Sequence, residues 1–172
     1  MPWNCFDASA LVKVYTDEDG SGVVRKYFDS APSKYTTLSC YFETLNALKR
    51  KRFSRKPPNI TDQEYHDAAF KLSAWFSLAW KNVLSLSPNY VQDLDFVDPQ
   101  TFPKIQSLAR TYSLDLSDAF QILSVKEGFA SPMVGQSQPI LVTADKNLAT
   151  AARNERIKVW EYDGATSSVI VQ

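Results

Sequence analysis

Soft metal ligands are nearly missing from this chain, which has two cysteines, Cys5 and Cys40, and one histidine, His66. A structural zinc site wants four Cys or His ligands, so none can be assembled. The two thiols are expected to be buried and free, as in a reducing cytoplasm, with a single disulfide as the alternative. Net charge is missing too, since Lys+Arg and Asp+Glu both number 19. A neutral chain is no general polyanion binder, so any nucleic-acid contact has to come from a local patch. No apolar run approaches the ~18 residues of a membrane span. Met1-Pro2-Trp3-Asn4 lacks the basic and apolar regions of a secretory signal. The expectation is a soluble, cytoplasmic protein without a membrane partner.

Familiar catalytic signatures are absent as well. There is no G-x-x-x-x-G-K-[ST] phosphate loop. Gly20-x-Gly22 lacks a third glycine, because Arg25 stands in its place, and it follows acids rather than a strand. No G-x-S-x-G elbow accompanies the lone His66, which argues against a serine hydrolase. His66 itself is expected on the surface and is given no role.

What is present suits one α/β domain spanning 1–172, with a tail after Gly164 expected to fray. Apolar runs at Trp3–Phe6, Val83–Leu86, Ile140–Thr143 and Ile157–Tyr162 read as strands. Helices are expected over Ala8–Tyr15 and again through Val23–Phe28. A third starts at a Thr36 or Thr37 cap, with an apolar stripe of Leu38, Tyr41, Phe42, Leu45 and Leu48. Thr61-Asp62-Gln63-Glu64 is a capping box that opens a long helix to about Trp80. Asp98-Pro99 reads as an N-cap with proline at the first helical position, starting a helix to Tyr112. Leu116–Glu127 is apolar almost all round and reads as a buried helix. Gly128–Pro139 is a Gly/Pro/Ser loop, and Lys146–Asn154 a last helix. This alternation predicts a three-layer α/β/α sandwich around a mainly parallel sheet of four to five strands.

The remaining chemistry lies in carboxylates. Asp7 and Asp145 each follow an apolar strand, and the carboxyl ends of parallel strands form the ligand crevice of such sheets. Each also suits the simpler role of capping the next helix. Asp118 lies in the first turn of a buried helix, where the dipole favours an acid. Asp115 and Ser117 can already satisfy that cap, so Asp118 needs another partner. Glu43 projects opposite its helix's bulky stripe, beside Cys40 and Ala47. Brought together, four such acids would repel unless a cation neutralised them. An all-oxygen site suits Mg²⁺ or Mn²⁺, and such an ion suits phosphodiester hydrolysis.

The segments around these acids resemble a known family. Asp7-Ala8-Ser9-Ala10-Leu11-Val12-Lys13-Val14-Tyr15 resembles the opening of PIN-domain ribonucleases, notably the VapC-like toxins of type II toxin–antitoxin pairs. Leu38 to Leu48, with Glu43 in the acidic place, resembles their second motif. Leu116-Ser117-Asp118-Ala119-Phe120-Gln121 resembles the third, and Leu141 to Leu148 around Asp145 the fourth. By that resemblance Asp7, Glu43, Asp118 and Asp145 are the catalytic and metal-binding cluster for one or two Mg²⁺ or Mn²⁺ ions. Ser9 and Thr143 would support it through their hydroxyls, and Asp115 competes with Asp118 as principal ligand. The activity implied is metal-dependent endoribonuclease cleavage, with a small antitoxin as partner. A non-catalytic scaffold of the same fold is one rival. A haloacid-dehalogenase-like phosphatase is another, although it wants an Asp where Ser9 stands.

Lys49-Arg50-Lys51-Arg52, continued by Arg55-Lys56, is the one dense basic run. It is a candidate grip on RNA phosphates, or a solvated helix end that favours cations. Lys13 is a further phosphate-contact candidate. Trp75, Phe76, Leu78, Ala79 and Trp80 form an aromatic patch that suits core packing, or else a groove for an antitoxin helix or for a second protomer in a homodimer.

Overall fold

The computed structural model describes residues 3–54, 56–86, 94, 96–128, 130–133, 139–164 and 167–170. Its centre is a sheet of β1 (Trp3–Phe6), β2 (Ser33–Tyr35), β3 (Ile140–Thr143), β4 (Lys158–Tyr162) and β5 (Ser167–Ile170), in the order β2-β1-β3-β4-β5. The first four strands run parallel, and β5 is antiparallel to β4. Successive residues of a strand point to opposite faces, so register decides which side chains share a layer. Cys5, Leu141 and Val159 are partners in one row, and Phe6, Val142 and Trp160 in the next.

The first row packs on α6 (Leu116–Glu127) and α8 (Lys146–Asn154), through Ile122, Val125, Leu148 and Ala152. Leu108 and Tyr112 of α5 (Thr101–Tyr112) close the outside of that layer. The second row packs on α1 (Ala8–Tyr15), α2 (Ser21–Ser30), α3 (Leu38–Phe53) and α4 (Asp62–Leu86), through Leu11, Val24, Leu48 and Leu72. Those four side chains are fully buried, and each contributes about 1.5–3 kcal/mol over an exposed one. The molecule is a three-layer α/β/α sandwich with a mainly parallel sheet. Among the described residues no helix is long and apolar enough to cross a membrane.

Caps set the helix starts. Thr37 Oγ1 accepts from Cys40 N at 3.2 Å, while Thr36 Oγ1 donates to Phe6 O at 2.6 Å. The box before α4 is reciprocal, with Thr61 N to Glu64 Oε2 at 2.7 Å and Glu64 N to Thr61 Oγ1 at 3.2 Å. Asp98 Oδ2 accepts from Gln100 N and Thr101 N, so α5 starts two residues after Pro99 rather than at it.

Several expectations are corrected. Val83–Leu86 is the end of α4, not a strand. No glycine or proline interrupts the chain between Thr61 and Pro88, so nothing stops the helix earlier. The short edge strand β2 is an addition, because Ser33-Lys34-Tyr35 has no apolar run to announce it. The Gly128–Pro139 segment contains a helical turn, α7 (Ala130–Met133), and its residues 129 and 134–138 lie outside the described residues. The tail does not simply fray, since Ser167–Ile170 pairs with β4. The inward stripe of α3 is Cys40, Thr44 and Leu48, flanked by the half-buried Tyr41 and Leu45. Leu38 and Phe42 stand 52% and 53% exposed, outside the core that their apolar stripe predicts.

Candidate active site

β1 runs out at Phe6, but pairing continues one residue further, with Asp7 N donating to Val142 O at 2.9 Å. That bond fixes the Asp7 carboxylate at the carboxyl end of the central parallel pair, where it is 3% exposed. Its Oδ2 accepts from Ser9 N at 3.1 Å, Ser9 Oγ at 2.5 Å and Thr143 Oγ1 at 3.0 Å. The same hydroxyls accept from the facing turn, Ser9 Oγ from Ala144 N and Thr143 Oγ1 from Asp145 N, both at 2.9 Å. A hydroxyl has one proton to give. With both given to Oδ2, the pair suits an ionised Asp7. Burial nevertheless raises its pKa above the usual carboxylate value, against the opposing Ser9 and Thr143 bonds.

Asp145 caps α8, its Oδ1 accepting from Asn147 N at 2.7 Å and Leu148 N at 3.0 Å. Asp7 caps α1 through Ser9 N. The simple capping roles are therefore real, and they coexist with the proximity that the sheet imposes. Asp115 caps α6 by accepting from Asp118 N at 2.8 Å and is itself exposed. That leaves the half-buried Asp118 carboxyl without the capping role. Its pKa is pushed up to about 7, first by burial and then by the charges of Asp7, Asp115, Asp145 and Glu43. Glu43 reaches the cluster from α3 and accepts from Ser117 Oγ at 3.1 Å. Burial and Asp7 raise its pKa, and Asp115 adds to this, while Ser117 and Arg50 oppose them. The positive N-terminal ends of α1, α6 and α8 all lie beside these acids, which partly offsets the repulsion.

Asp7, Glu43, Asp118 and Asp145 are thus brought into one electrostatic neighbourhood. They do not form a closed cage: among the described residues, no three His, Cys, Asp or Glu side chains converge as a ready metal site. The donors are all carboxylate and hydroxyl oxygens, the chemistry that a hard divalent cation takes. Mg²⁺ usually needs only one or two protein carboxylates and completes its shell with water and substrate phosphate. The residues fit such an ion on that basis.

The basic run divides. Lys13 and Lys51 both bind Glu18, Lys13 at 2.9 Å, and Lys13 also donates to Asp19 O at 2.8 Å. Arg52 forms a fork with Asp62 at 2.5 and 2.8 Å. All three are engaged: Lys51 and Arg52 tie α3 to Glu18 and Asp62, and Lys13 ties α1 to the turn that follows it. Lys49 and Arg50 are exposed and line a groove that opens beside Glu43. Arg55 lies outside the described residues.

Two features have no assignment from sequence. Gln121 is fully buried, its Oε1 accepting from Thr37 Oγ1 and Cys40 Sγ, both at 2.9 Å, and its Nε2 donating to Cys5 Sγ at 3.0 Å; the Cys40 thiol that it meets also lies 3.9 Å from Asp7 Oδ1. The available signal is a lone amide within the apolar run Ala119 to Leu123, which must find partners when buried. The other is the Glu43–Ser117 bond, a contact between helices that sequence spacing does not reveal. Of the aromatic patch, Trp75 packs on Phe28 at 5.3 Å in the core. Trp80 also packs on the core, beside Cys5, Leu141 and their cluster, and together with Phe76 it lines an apolar groove of about 650 Å³ with Leu38, Phe42 and Phe120.

No family model and no curated protein matches the sequence. Among solved structures, the chain is similar to the crystal structure of PAE2754 from Pyrobaculum aerophilum. The two are 18% identical over 87% of this chain and 84% of that one, with a TM-score of 0.48.

Proposed function

We propose that this chain is a Mg²⁺- or Mn²⁺-dependent endoribonuclease of the PIN-domain type, the toxin of a toxin–antitoxin pair. The observation that carries the reading is the electrostatic proximity of acids from four separated segments near the carboxyl end of β1 and β3, where burial first, and the neighbouring charges after it, push Asp118 up to about 7. Carboxylates forced together at such a cost are better explained by a function than by stability. The four family-like motifs, in order along the chain, supply the reaction class, and the antitoxin rests on that resemblance alone.

Within this reading Asp7 and Asp118 bind the principal cation, while Glu43 and Asp145 complete the site or orient the attacking water. Ser9 and Thr143 hold Asp7 in one rotamer, so that its carboxylate is preorganised rather than mobile. A bound Mg²⁺ or Mn²⁺ supplies neutralisation of the clustered acids and of the charge that builds on a phosphodiester. Ser9 also argues against the phosphatase alternative, because its hydroxyl occupies Oδ2 of the would-be nucleophile and no second Asp stands there.

The test is digestion of total RNA by the purified chain with Mn²⁺, with Mg²⁺ and with chelator, beside Asp7→Asn. Metal-dependent fragments from the parent and none from Asp7→Asn are expected, with equal far-ultraviolet circular dichroism. An Asp7→Asn protein as active as the parent refutes the assignment. No metal-dependent cleavage across a broad RNA panel leaves the non-catalytic scaffold instead. A short neighbouring reading frame for a DNA-binding protein is the matching test of the toxin role.

A further inference from the structure

Three of the four acids stand on elements that meet again at a single buried amide. Gln121 follows Asp118 by three residues on α6, so the two share a helix face about one turn apart. Cys40 precedes Glu43 by the same interval on α3, whose first residues are capped by Thr37. Cys5 lies two residues before Asp7 along β1, and therefore on the same face of the sheet. The Gln121 amide accepts from Thr37 Oγ1 and Cys40 Sγ and donates to Cys5 Sγ. The elements that carry Asp7, Glu43 and Asp118 are thus bonded to one another through one side chain. None of the four node residues is more than 2% exposed, so water hardly competes for these bonds. Cys40 Sγ lies 2.9 Å from Gln121 Oε1 but 3.9 Å from Asp7 Oδ1. A thiol has one proton, and it goes to the nearer amide oxygen. Asp7 Oδ1 keeps its lone pair on that side.

We propose that Gln121 is a positioning residue for the acidic cluster, holding β1, α3 and α6 at the spacing at which Asp7, Glu43 and Asp118 take a divalent cation. The inference rests on the metal-dependent reading and adds a residue that, being fully buried, touches neither ion nor substrate. Like charges gathered at one sheet edge push their elements apart before an ion arrives. After burial, the charges of Asp7 and Glu43 are among those that raise the Asp118 pKa. A site left to that repulsion has to be drawn together by the ion, at a cost to affinity, whereas a preorganised one does not. Packing alone does not ask for an amide at this place. A methionine among apolar partners would fill the same space, because replacing a buried hydrogen-bonded set by apolar groups of like shape is nearly neutral. A fully satisfied polar node instead specifies one relative placement of the three elements.

The experiment titrates Mn²⁺ into the purified chain at one neutral pH and reads the free ion by electron paramagnetic resonance, for the parent, Gln121→Met and Val24→Ala. Val24 is fully buried in the opposite layer, so its variant shows what loss of stability alone does. Thermal midpoints should fall in both variants. Mn²⁺ binding should weaken about tenfold or more in Gln121→Met, as it does when a ligand's support is removed, and stay as in the parent in Val24→Ala. The Mn²⁺ concentration for half-maximal RNA cleavage should rise with that loss, while the rate at saturating Mn²⁺ returns to the parent's. Cys5→Ala removes one bond of the node and should weaken Mn²⁺ binding less, in the same direction. If Gln121→Met does not fold, Cys5→Ala decides, and parent-like binding there overturns the proposal. So does a folded Gln121→Met that binds Mn²⁺ like the parent, or a Val24→Ala weakened as much, which would make the effect a general softening. A parent that binds no Mn²⁺ overturns this inference and the nuclease reading together. A parent that binds Mn²⁺ in a Gln121-dependent way and cuts no RNA defeats the nuclease reading alone.

Discussion

Asp118 holds its proton near neutrality because burial and four neighbouring acids penalise its charge. A carboxyl whose folded pKa lies above its unfolded value stabilises the fold below the unfolded value and loses that contribution as pH rises through the folded one. For Asp118 the window runs from the ordinary Asp value of 3.8 to about 7, and the raised pKa values of Asp7 and Glu43 act in the same sense. The metal-free protein is therefore expected to weaken between pH 4 and pH 8. Discounted for its partial exposure, the Asp118 share is about 2 kcal/mol. Urea melts in chelator should show Asp118→Asn more stable than the parent at pH 8, with the difference shrinking toward pH 4. A difference independent of pH would mean that Asp118 does not feel its neighbours. At Thr143 the effect has the opposite sign. Thr143→Val keeps the shape but removes a donor to Asp7 and an acceptor for Asp145 N. It should cost about 1–3 kcal/mol and lower RNA cleavage about 10- to 100-fold, as loss of a ligand's supporting hydrogen bond does. Unchanged cleavage would remove Thr143 from the site.

At the scale of elements, the legible parts are those whose signals are local. The caps at Thr37, Thr61 and Asp115 and the apolar runs of β1, β3 and β4 all lie in short stretches of sequence. The parallel pairing of β1 with β3 follows from fold class, and it is what carries Asp7 to Asp145. The orientation of α3 is partly legible: Leu48, Tyr41 and Leu45 of its apolar stripe do meet the core, but Cys40 and Thr44, small residues that a hydrophobic stripe search passes over, are buried where that search puts Leu38 and Phe42. The pairing of Lys13 and Lys51 with Glu18 is hidden for a similar reason, since Lys51 and Glu18 are far apart in sequence and meet only once α1 and α3 pack. The Gln121 node joins α6 to α3 and β1. Gln121→Met preserves length but leaves Thr37 and Cys40 without their shared acceptor, which should cost about 1–3 kcal/mol. Thermal melts at fixed pH measure it, and an unchanged midpoint would show that the thiols and Thr37 have found other partners.

The whole molecule depends on how its sheet is closed at the edges. At one edge β2 is only three residues long, too short to template further pairing. At the other, β4 carries Val159 and Trp160, 1% and 2% exposed, and would present its open backbone to solvent without β5. Gly164, with φ at +88°, lies where the chain turns back after β4, a conformation that costs glycine little. From there Ser167–Ile170 returns antiparallel in register from Tyr162↔Ser167 to Val159↔Ile170. The last strand is thus both a ladder of hydrogen bonds and a cover for an aggregation-prone edge. Truncation after Gly164 removes about 2 kcal/mol or more, at ~1 kcal/mol per net backbone bond, and lowers the melting midpoint by roughly 5 °C in a chain of this size. It should also produce concentration-dependent association through the freed β4 edge, visible by light scattering, while the acidic cluster at the carboxyl ends of β1 and β3 keeps its geometry. A merely frayed tail predicts neither change, so a truncated chain that melts and sediments like the parent would show that β5 does not cover that edge in solution.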